Sequence, residues 1–293
     1  MLVSLKNIKM KRSMSSHPDN NKPEIFRQMP ADGVNVLQIT DCHLYADPSR
    51  CLLGINTLET FDQILEQALR EAGRPDLIMA TGDLVHDASD SGYKRLLGRF
   101  KLTEIPTYCL PGNHDQPGKM TQLLNQDNVH CIPSVQTKGW SLVFLDSTIP
   151  GSDGGRIDQR QMALLKQLLE EHPDKNTLIS MHHHPLPVGS RWMDTMVLEQ
   201  PQAFFDLLQK HPQVKGILCG HIHQNFEATY QGLKILGSPS TCVQFTAGED
   251  DFAIDPTPPG YRWLSLQADG EIVSGLSSLP EIPSGLDLAS MGY

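Results

Sequence analysis

The sequence predicts an α/β domain in which two packed β-sheets are covered by helices. Three observations favour this fold class. Beyond residue 30, short apolar runs alternate with segments of helical periodicity, which is typical of β-α repeats. The last third of the chain changes to hairpin patterns, which add antiparallel strands. With 293 residues, 39% of them hydrophobic, the chain is long enough to bury a sizeable core.

The elements of the first two thirds are predicted from apolar spacing. Strands are predicted at 34–40, 77–80, 107–110, 140–146, 177–181 and 214–219. Helices are predicted at 58–72, 92–100, 159–171 and 202–209, and Asp158 is the expected N-cap of the third helix. In the last third, turns that contain glycine predict hairpins within 227–236 and 261–275.

The chain divides into three predicted parts. Residues 1–30 are expected to be a flexible basic tail, because Lys6, Lys9, Lys11 and Arg12 are not followed by the apolar stretch of a secretory signal. Residues 31–275 are expected to form the folded domain, and residues 276–293 a C-terminal extension. No run approaches the roughly 18 apolar residues of a membrane helix, so no membrane partner is expected.

Charge and cysteine content narrow the class of function. A net charge of −10 argues against coating a nucleic acid polymer, which needs many Lys and Arg contacts to phosphates. The six cysteines are scattered, without a Cys-x-x-Cys pair. We expect reduced, buried thiols and a cytoplasmic location. The oligomeric state stays open, with a homodimer as one alternative.

Polar side chains gather where the predicted strands end. The segments are Asp41-Cys42-His43, Gly82-Asp83, Gly112-Asn113-His114-Asp115, His182-His183-His184 and Gly220-His221-Ile222-His223. The carboxyl ends of strands in α/β sheets form the ligand crevice, so these side chains are expected to meet there. Any single histidine in these segments could be an ordinary core or surface residue. That explanation would have to hold at every strand end, so the sequence predicts a metal site.

The spacing within two of the segments predicts which side chains share an ion. Residues two apart at a strand end point the same way, so Asp41 and His43 are expected to act together while Cys42 faces away. His221 and His223 repeat the arrangement.

The donor set predicts the kind of metal centre. Carboxylate, imidazole and amide donors without sulfur suit Fe, Mn, Co or Zn. The donors outnumber the ligands of one tetrahedral ion and predict two ions about 3.5–4 Å apart, with Asp83 as the natural bridge. Glycines at 82, 112 and 220 are expected to let the backbone turn sharply, so that the next side chain reaches inward.

With these segments in this order, residues 33–275 resemble the calcineurin-like metallophosphoesterase superfamily. The shared pattern is Asp-x-His, Gly-Asp, Gly-Asn-His-Asp/Glu, a His, and Gly-His-x-His. Residues 37–41, 53–57, 182–187, 220–224 and 238–245 are in addition similar to the bacterial class III 3′,5′-cyclic AMP phosphodiesterases. The resemblance implies a metallophosphoesterase fold for residues 31–275, which is a four-layer α/β/β/α sandwich of two packed mixed sheets.

The resemblance also implies residue roles. One ion would be held by Asp41, His43 and His223, a second by Asn113, His182 and His221, and Asp83 would bridge them. The catalytic residue would be His114, and the substrate would lie against these same eight residues. The implied cofactors are two divalent metal ions, with Fe or Mn preferred over Co or Zn. The implied partner is a small cyclic nucleotide.

The implied reaction is hydrolysis of 3′,5′-cyclic AMP to 5′-AMP, with a metal-bound hydroxide as nucleophile and His114 as general acid. Two alternatives stay open: a relative acting on other phosphodiesters, 2′,3′-cyclic nucleotides or monoesters, and a non-catalytic binding module with the same fold. His86 is expected beside the site without being a ligand. Trp192 or Phe245 for adenine, and Arg191 for phosphate, are candidate contacts, against the ordinary alternative of a packed loop and a solvent-facing arginine.

Overall fold

The computed structural model describes residues 9–10, 32–72 and 74–292. The tail predicted over residues 1–30 lies outside the described residues, apart from Lys9–Met10. These two residues pair antiparallel with Ala228 and Thr229 at a sheet edge.

The bounds of the elements are as follows. The strands, in chain order, are β1 (Lys9–Met10), β2 (Val34–Ile39), β3 (Cys51–Leu52), β4 (Ile55–Asn56), β5 (Leu77–Thr81), β6 (Thr107–Leu110), β7 (Val129–His130), β8 (Ser134–Thr137), β9 (Trp140–Phe144), β10 (Thr148–Ile149), β11 (Ser152–Gly155), β12 (Asn176–Met181), β13 (Val214–Cys219), β14 (Phe226–Tyr230), β15 (Leu233–Gly237), β16 (Gln244–Phe245), β17 (Ile254–Asp255), β18 (Gly260–Leu266) and β19 (Ile272–Ser278). The helices are α1 (Thr57–Ala72), α2 (Asp90–Thr103), α3 (Pro117–Leu124), α4 (Gln159–Glu171) and α5 (Gln202–Leu208), with a 3₁₀ turn at Met193–Met196.

Two mixed sheets form the centre of the domain. The first has the order β19-β18-β2-β5-β6-β7, in which β2, β5, β6 and β7 are parallel, β18 is antiparallel to β2, and β19 is antiparallel to β18. The second has the order β1-β14-β15-β13-β12-β9-β8 and is parallel from β15 to β9. The predicted hairpins are both present, because β14–β15 and β18–β19 are antiparallel pairs.

Three apolar clusters separate the layers and confirm the α/β/β/α arrangement. Helices α1 and α2 bury Phe61 and Phe100 against the outer face of the first sheet. Trp140 of the second sheet and Leu264 of the first lie in the cluster between the sheets. Helices α4 and α5 bury Leu165 and Phe205, among others, against the outer face of the second sheet. Burial of these apolar faces on both sides of each sheet is the main contribution to the stability of the sandwich.

One arginine interrupts the buried face of β18. Arg262 is 0% exposed, and each of its five N–H groups has an acceptor. The acceptors are Ser238 Oγ, Glu227 Oε1, Ser274 Oγ, Asn225 Oδ1 and the carbonyl oxygen of Gly237. Because Arg262 belongs to the first sheet and Gly237 to the second, the guanidinium group links the two sheets by hydrogen bonds.

The structure corrects several predicted bounds. Strand β9 ends at Phe144 and not at residue 146, because Asp146 Oδ1 accepts from the backbone N–H and hydroxyl of Thr148 and starts a turn. Periodicity does not reveal helix α3, which is eight residues long and buries only Met120 and Leu124. The N-cap at Asp158 is confirmed, since its carboxylate accepts from the N–H of Gln161 at 2.8 Å.

The structure also bears on the predicted state of the cysteines and on the search for a membrane-spanning helix. Among the described residues the cysteines are unbridged, and Cys42, Cys109, Cys219 and Cys242 are buried. Cys51 is exposed, so the prediction of a buried thiol is wrong there, because the β3–β4 ribbon points this side chain outward. Within the described part of the chain, no helix has the length and apolarity needed to cross a bilayer.

Candidate metal centre

The segments that follow β2 and β5 hold three of the predicted ligands in register. Asp41 N donates to the carbonyl of Gly82 at 3.0 Å, and His43 N donates to the carbonyl of Asp83 at 2.9 Å. These bonds extend the parallel pairing of β2 and β5 past the sheet, to the isolated bridge between Leu44 and Val85. Asp41, His43 and Asp83 therefore come from two chain segments that are fixed against each other.

Five of the seven predicted ligands adopt a backbone conformation that is uncommon for residues other than glycine. Asp41, His43, Asp83, His221 and His223 all have φ between 46° and 68°. Left-handed backbone of this kind carries strain and concentrates at functional sites. The pairing of Asp41 with His43 thus arises from left-handed turns beyond the strand, not from strand alternation as predicted. Cys42 does face away, into the apolar cluster under the first sheet.

The glycines before the ligands are required for two different reasons. Gly82 has φ +95°, which agrees with the predicted sharp turn. Gly112 and Gly220 do not have positive φ, but the predicted turns are present, since Asp115 N donates to the carbonyl of Gly112 at 3.0 Å and Ile222 N donates to that of Gly220 at 2.8 Å. A Cβ at Gly112 would lie 2.2 Å from Asp83 Oδ1, and one at Gly220 would lie 2.2 Å from Thr40 Oγ1. These two glycines are needed because the ligand segments pack directly against their backbone.

One group of donor atoms converges around Asp41 and His43. His223 Nε2 lies 3.3 Å from Asp41 Oδ1 and 3.3 Å from His43 Nε2. Asp83 Oδ2 is 3.8 Å from His43 Nε2. Donors held about 2.1 Å from one ion, at right angles to each other, lie about 3 Å apart. The spacing of this group therefore fits a metal ion.

A second group lies on the other side of Asp83. His182 Nε2 is 3.3 Å from Asp83 Oδ2 and 3.2 Å from Asn113 Oδ1. The ring of His221 packs at 5.0 Å from that of His182, between centroids. Asp83 Oδ2 thus faces donors of both groups, which is the placement that a bridging carboxylate needs.

The remaining nitrogens of two candidate ligands are fixed by backbone carbonyls. His182 Nδ1 donates to the carbonyl of Thr81 at 2.9 Å, and His223 Nδ1 donates to that of Val243 at 2.8 Å. Carbonyls only accept, so each ring carries a proton on Nδ1, and Nε2 is the atom of each ring that can bind an ion.

The histidine triplet after β12 places a further ring near the second group. His183 lies with its centroid 4.8 Å from that of His221, and its Nδ1 is 2.8 Å from Ser147 Oγ. His184 is also buried, with Nε2 3.8 Å from Asp194 Oδ1. His182 alone of the three approaches both Asp83 and Asn113 within hydrogen-bonding distance.

Burial and neighbouring charges shift the pKa values of the candidate ligands toward the forms that bind cations. Burial opposes ionisation of Asp83, but the neighbouring histidines His182, His43 and His114 outweigh it and hold the pKa of this carboxyl well below its ordinary value. Burial lowers the pKa of His43 and of His221 well below the usual range, so both rings are neutral with a lone pair available.

Orphaned polar atoms give an independent test of whether a cation fits. His221 Nε2 and His183 Nε2 are buried and have no hydrogen-bond partner among the described residues. Buried polar atoms are nearly always satisfied, so these unsatisfied imidazole nitrogens, whose rings form one compact donor group with His182, indicate a missing partner. Among the described residues, four groups of three donors are compact enough to hold an ion; two of them combine Asp with His, and two consist of histidines alone. The residues present therefore fit the implied metal ions.

The motif that contains Asn113 and His114 is held by an aspartate whose role the sequence does not reveal. Asp115 is the acceptor for the N–H groups of Gly112, Leu84 and Val85 at 3.0–3.1 Å, and for the hydroxyl of Tyr93 at 3.0 Å. It ties the segment of Asp83 to that of Asn113. Burial, followed by repulsion from Asp83, raises the pKa of Asp115 to about 6. The only sequence signal is its place at the end of Gly-Asn-His-Asp.

His114 sits at the half-buried mouth of the site. Its backbone N–H donates to Asp83 Oδ1 at 2.9 Å, and its Nδ1–H donates to the carbonyl of His86 at 3.3 Å. We therefore assign Nε2 as the ring atom that would contact a substrate. The ring of His86 stacks on that of His114 with centroids 4.3 Å apart and 24° between the planes.

Phe245, Trp192 and Arg191, the candidate substrate contacts, each make another contact in the structure. Phe245 is 1% exposed and stacks on His223 at 4.3 Å, so it supports that ring and cannot also stack on adenine. Arg191 faces solvent beside Asp250 and Asp251. Trp192 packs edge-on against Phe245. These contacts favour the ordinary alternative of a packed loop and a solvent-facing arginine.

Comparison with known proteins identifies the class of protein that this fold and site define. Residues 34–225 match the model of the calcineurin-like phosphoesterase family, and the chain belongs to that family. It is 38% identical to the 3′,5′-cyclic adenosine monophosphate phosphodiesterase CpdA of Vibrio vulnificus, over 89% of this chain and 96% of that protein. It is 39% identical to CpdA of Pseudomonas aeruginosa, over 90% of this chain and 97% of that protein.

The solved structures agree on the fold. A dimetal phosphatase from Danio rerio superposes with a TM-score of 0.55 at 15% identity, covering 82% of this chain and 98% of that one. The resemblance to the metallophosphoesterases, and within them to the cyclic AMP phosphodiesterases, is thus confirmed, and with it the prediction that the chain is an enzyme.

Proposed function

We propose that this protein hydrolyses 3′,5′-cyclic AMP to 5′-AMP at a two-metal centre. The observation that carries the proposal is the convergence of carboxylate and imidazole donors on both sides of Asp83. The substrate assignment is supported by relatives that are named cyclic AMP phosphodiesterases and are matched over nearly their whole length. A cytoplasmic location and a small cyclic nucleotide as the partner belong to the same proposal.

The ligand assignment follows the two donor groups. Asp41, His43 and His223 would hold one ion, Asn113, His182 and His221 the other, and Asp83 would contact both. When bound, two such ions lower the pKa of a coordinated water and neutralise charge on the phosphate. We infer that the ions are Fe or Mn, with Co or Zn as the next candidates. Mg²⁺ is disfavoured because it prefers oxygen ligands and four of these donors are imidazoles.

The protein's own residues would bind the phosphate and supply the proton. The amide of Asn113 and the ring of His114 lie at the half-buried mouth, where a phosphodiester enters. His114 Nδ1–H is engaged by the His86 carbonyl, so the ring can donate a proton from Nε2 when it is protonated. The leaving 3′ oxygen of the ribose needs that proton, because an alkoxide is a poor leaving group.

A paired-substrate assay tests the role of His114. His114→Ala should keep both ions and lose cyclic AMP hydrolysis by about 10²–10⁴-fold. Hydrolysis of a bis-nitrophenyl phosphate should fall much less, because nitrophenolate leaves without a proton. Ion content per chain is the control. Equal losses on both substrates, with both ions retained, would show that His114 does not act as the acid.

A panel of esters separates the alternatives within the family. The proposal requires cyclic AMP to be hydrolysed with a higher kcat/KM than 2′,3′-cyclic AMP, a glycerophosphodiester or 5′-AMP. A preference for any of these would place the protein with another group of phosphoesterases. Ion binding without hydrolysis of any ester would indicate the binding module.

A further inference from the structure

His86 makes a contact that the ligand assignment does not use. Its Nδ1 lies 3.0 Å from Nδ1 of His43, and its backbone N–H donates to the carbonyl of Leu44 at 2.8 Å. The ring is packed between Tyr45, at 4.8 Å, and His114, at 4.3 Å, measured between centroids. The side chain is therefore fixed by contacts on several sides and directed at a candidate ligand.

The proton arrangement of this pair follows from the site. Two ring nitrogens at 3.0 Å share one proton, so one donates and the other accepts. His43 Nε2 faces His223 and Asp83 and needs its lone pair to hold an ion. The proton of His43 then lies on Nδ1 and is donated to His86. His86 must accept on Nδ1 and carry its own proton on Nε2.

Two other ligand imidazoles, those of His182 and His223, donate from Nδ1 to the backbone carbonyls of Thr81 and Val243. His43 differs because its partner is a side chain. Partners of this kind fix the tautomer and orientation of a ligand, and their loss weakens metal affinity by about 10–100-fold. A side-chain partner can be replaced without disturbing the backbone, so its contribution can be measured.

We propose that His86 is a positioning residue that accepts the Nδ1–H of His43 and so fixes the His43 ring and tautomer for the ion held with Asp41 and His223. The proposal rests on the proposed two-ion function. It extends that function to a residue outside the predicted ligand set.

Two substitutions of His86 distinguish the contribution of its hydrogen-bond acceptor from that of its aromatic ring. His86→Asn keeps an acceptor oxygen close to the position of Nδ1 but removes the ring. His86→Phe keeps a ring to stack on His114 but removes the acceptor. A purely structural role, through packing against His114 and Tyr45, would be preserved by Phe and lost with Asn. The positioning role predicts the opposite order.

The first measurement is Mn²⁺ binding by calorimetry to chelator-stripped protein, with thermal unfolding as the folding control. Wild type should bind two ions per chain. His86→Phe should bind one of them about 10–100-fold more weakly, and His86→Asn should bind both within about threefold of wild type. Unweakened binding by His86→Phe, or equal weakening in both variants, would overturn the inference. Wild type that binds no ions would overturn the proposed function as well.

The second measurement needs no variant. In Zn²⁺-loaded wild type, ¹H–¹⁵N correlations of the histidine rings should place the proton of His43 on Nδ1 and that of His86 on Nε2. A proton on Nδ1 of His86 would overturn the inference even if both variants failed to fold, while the number of bound Zn²⁺ ions tests the two-ion centre separately.

Discussion

Replacement of Arg262 by methionine tests how the two sheets are held together beneath the site. Met keeps much of the apolar stem and removes the guanidinium group. Five hydrogen bonds are lost, among them those to Glu227 Oε1 at 2.9 Å and to the Gly237 carbonyl at 2.8 Å. A hydrogen bond from a neighbouring residue connects the surroundings of Arg262 to the segment that carries His221 and His223. Gln38, which pairs with Arg262 across the sheet, donates to the carbonyl of Cys219, two residues before His221.

The expected loss of stability follows from what remains buried. Removing one partner of a buried ion pair destabilises a protein by about 3–5 kcal/mol. The Glu227 side chain is 36% exposed and can turn toward water, which places the effect near the lower end, at about 3 kcal/mol. For a domain of this size that corresponds to a fall in Tm of roughly 6–12 °C.

Urea unfolding of chelator-stripped protein measures this change without a contribution from bound ions. The matched control is Arg99→Met. Arg99 makes two bonds to Asp62, at 2.7 and 2.9 Å, but its side chain is 37% exposed. Its replacement should change the free energy of unfolding by less than about 1 kcal/mol. If Arg262→Met also fell below about 1 kcal/mol, the buried network would not stabilise the packing of the sheets.

Two further predictions concern the ligands and the buried histidines. Asp83→Ala should lose both ions, whereas His43→Ala should weaken mainly one; elemental analysis counts the ions, and retention of two in Asp83→Ala would refute the bridge. Ion-free protein should lose stability as pH falls below 6.5, because burial lowers the pKa of His184, so the unfolded chain takes up the proton first. Urea unfolding at pH 8 and pH 5.5 checks the sign, and His184→Asn should reduce the difference; an unchanged difference would mean that other groups cause it.

The sequence predicts the two-sheet architecture and the convergence of the candidate ligand side chains, because both depend on local patterns. Apolar runs identify the strands, and parallel strands present their carboxyl ends at a common edge, so Asp41, Asp83 and His182 are recognisable from sequence alone. The left-handed backbone at Asp41 and His43 is not recognisable in this way. It depends on hydrogen bonds to Gly82 and Asp83, about 40 residues away along the chain.

Contacts between distant segments account for the rest of what the sequence does not reveal. The acceptors of Arg262 lie on β14, β15, β19 and the segments next to them, and no periodicity links them to it. Asp115 is one residue beyond His114, yet its partners Leu84 and Val85 come from another segment. His86 is readable as a histidine near the site, but its contact with His43 requires the three-dimensional structure.

The most direct measurement of the two-metal mechanism follows cyclic AMP hydrolysis while ions are returned to stripped protein. Product analysis should show 5′-AMP as the only nucleotide formed. The rate should rise with the second Mn²⁺ per chain, and Mg²⁺ should restore much less of it, since imidazole donors disfavour Mg²⁺. Full hydrolysis by protein that binds no ions in the presence of a strong chelator, or formation of 3′-AMP, would contradict a two-metal 3′,5′-cyclic AMP phosphodiesterase.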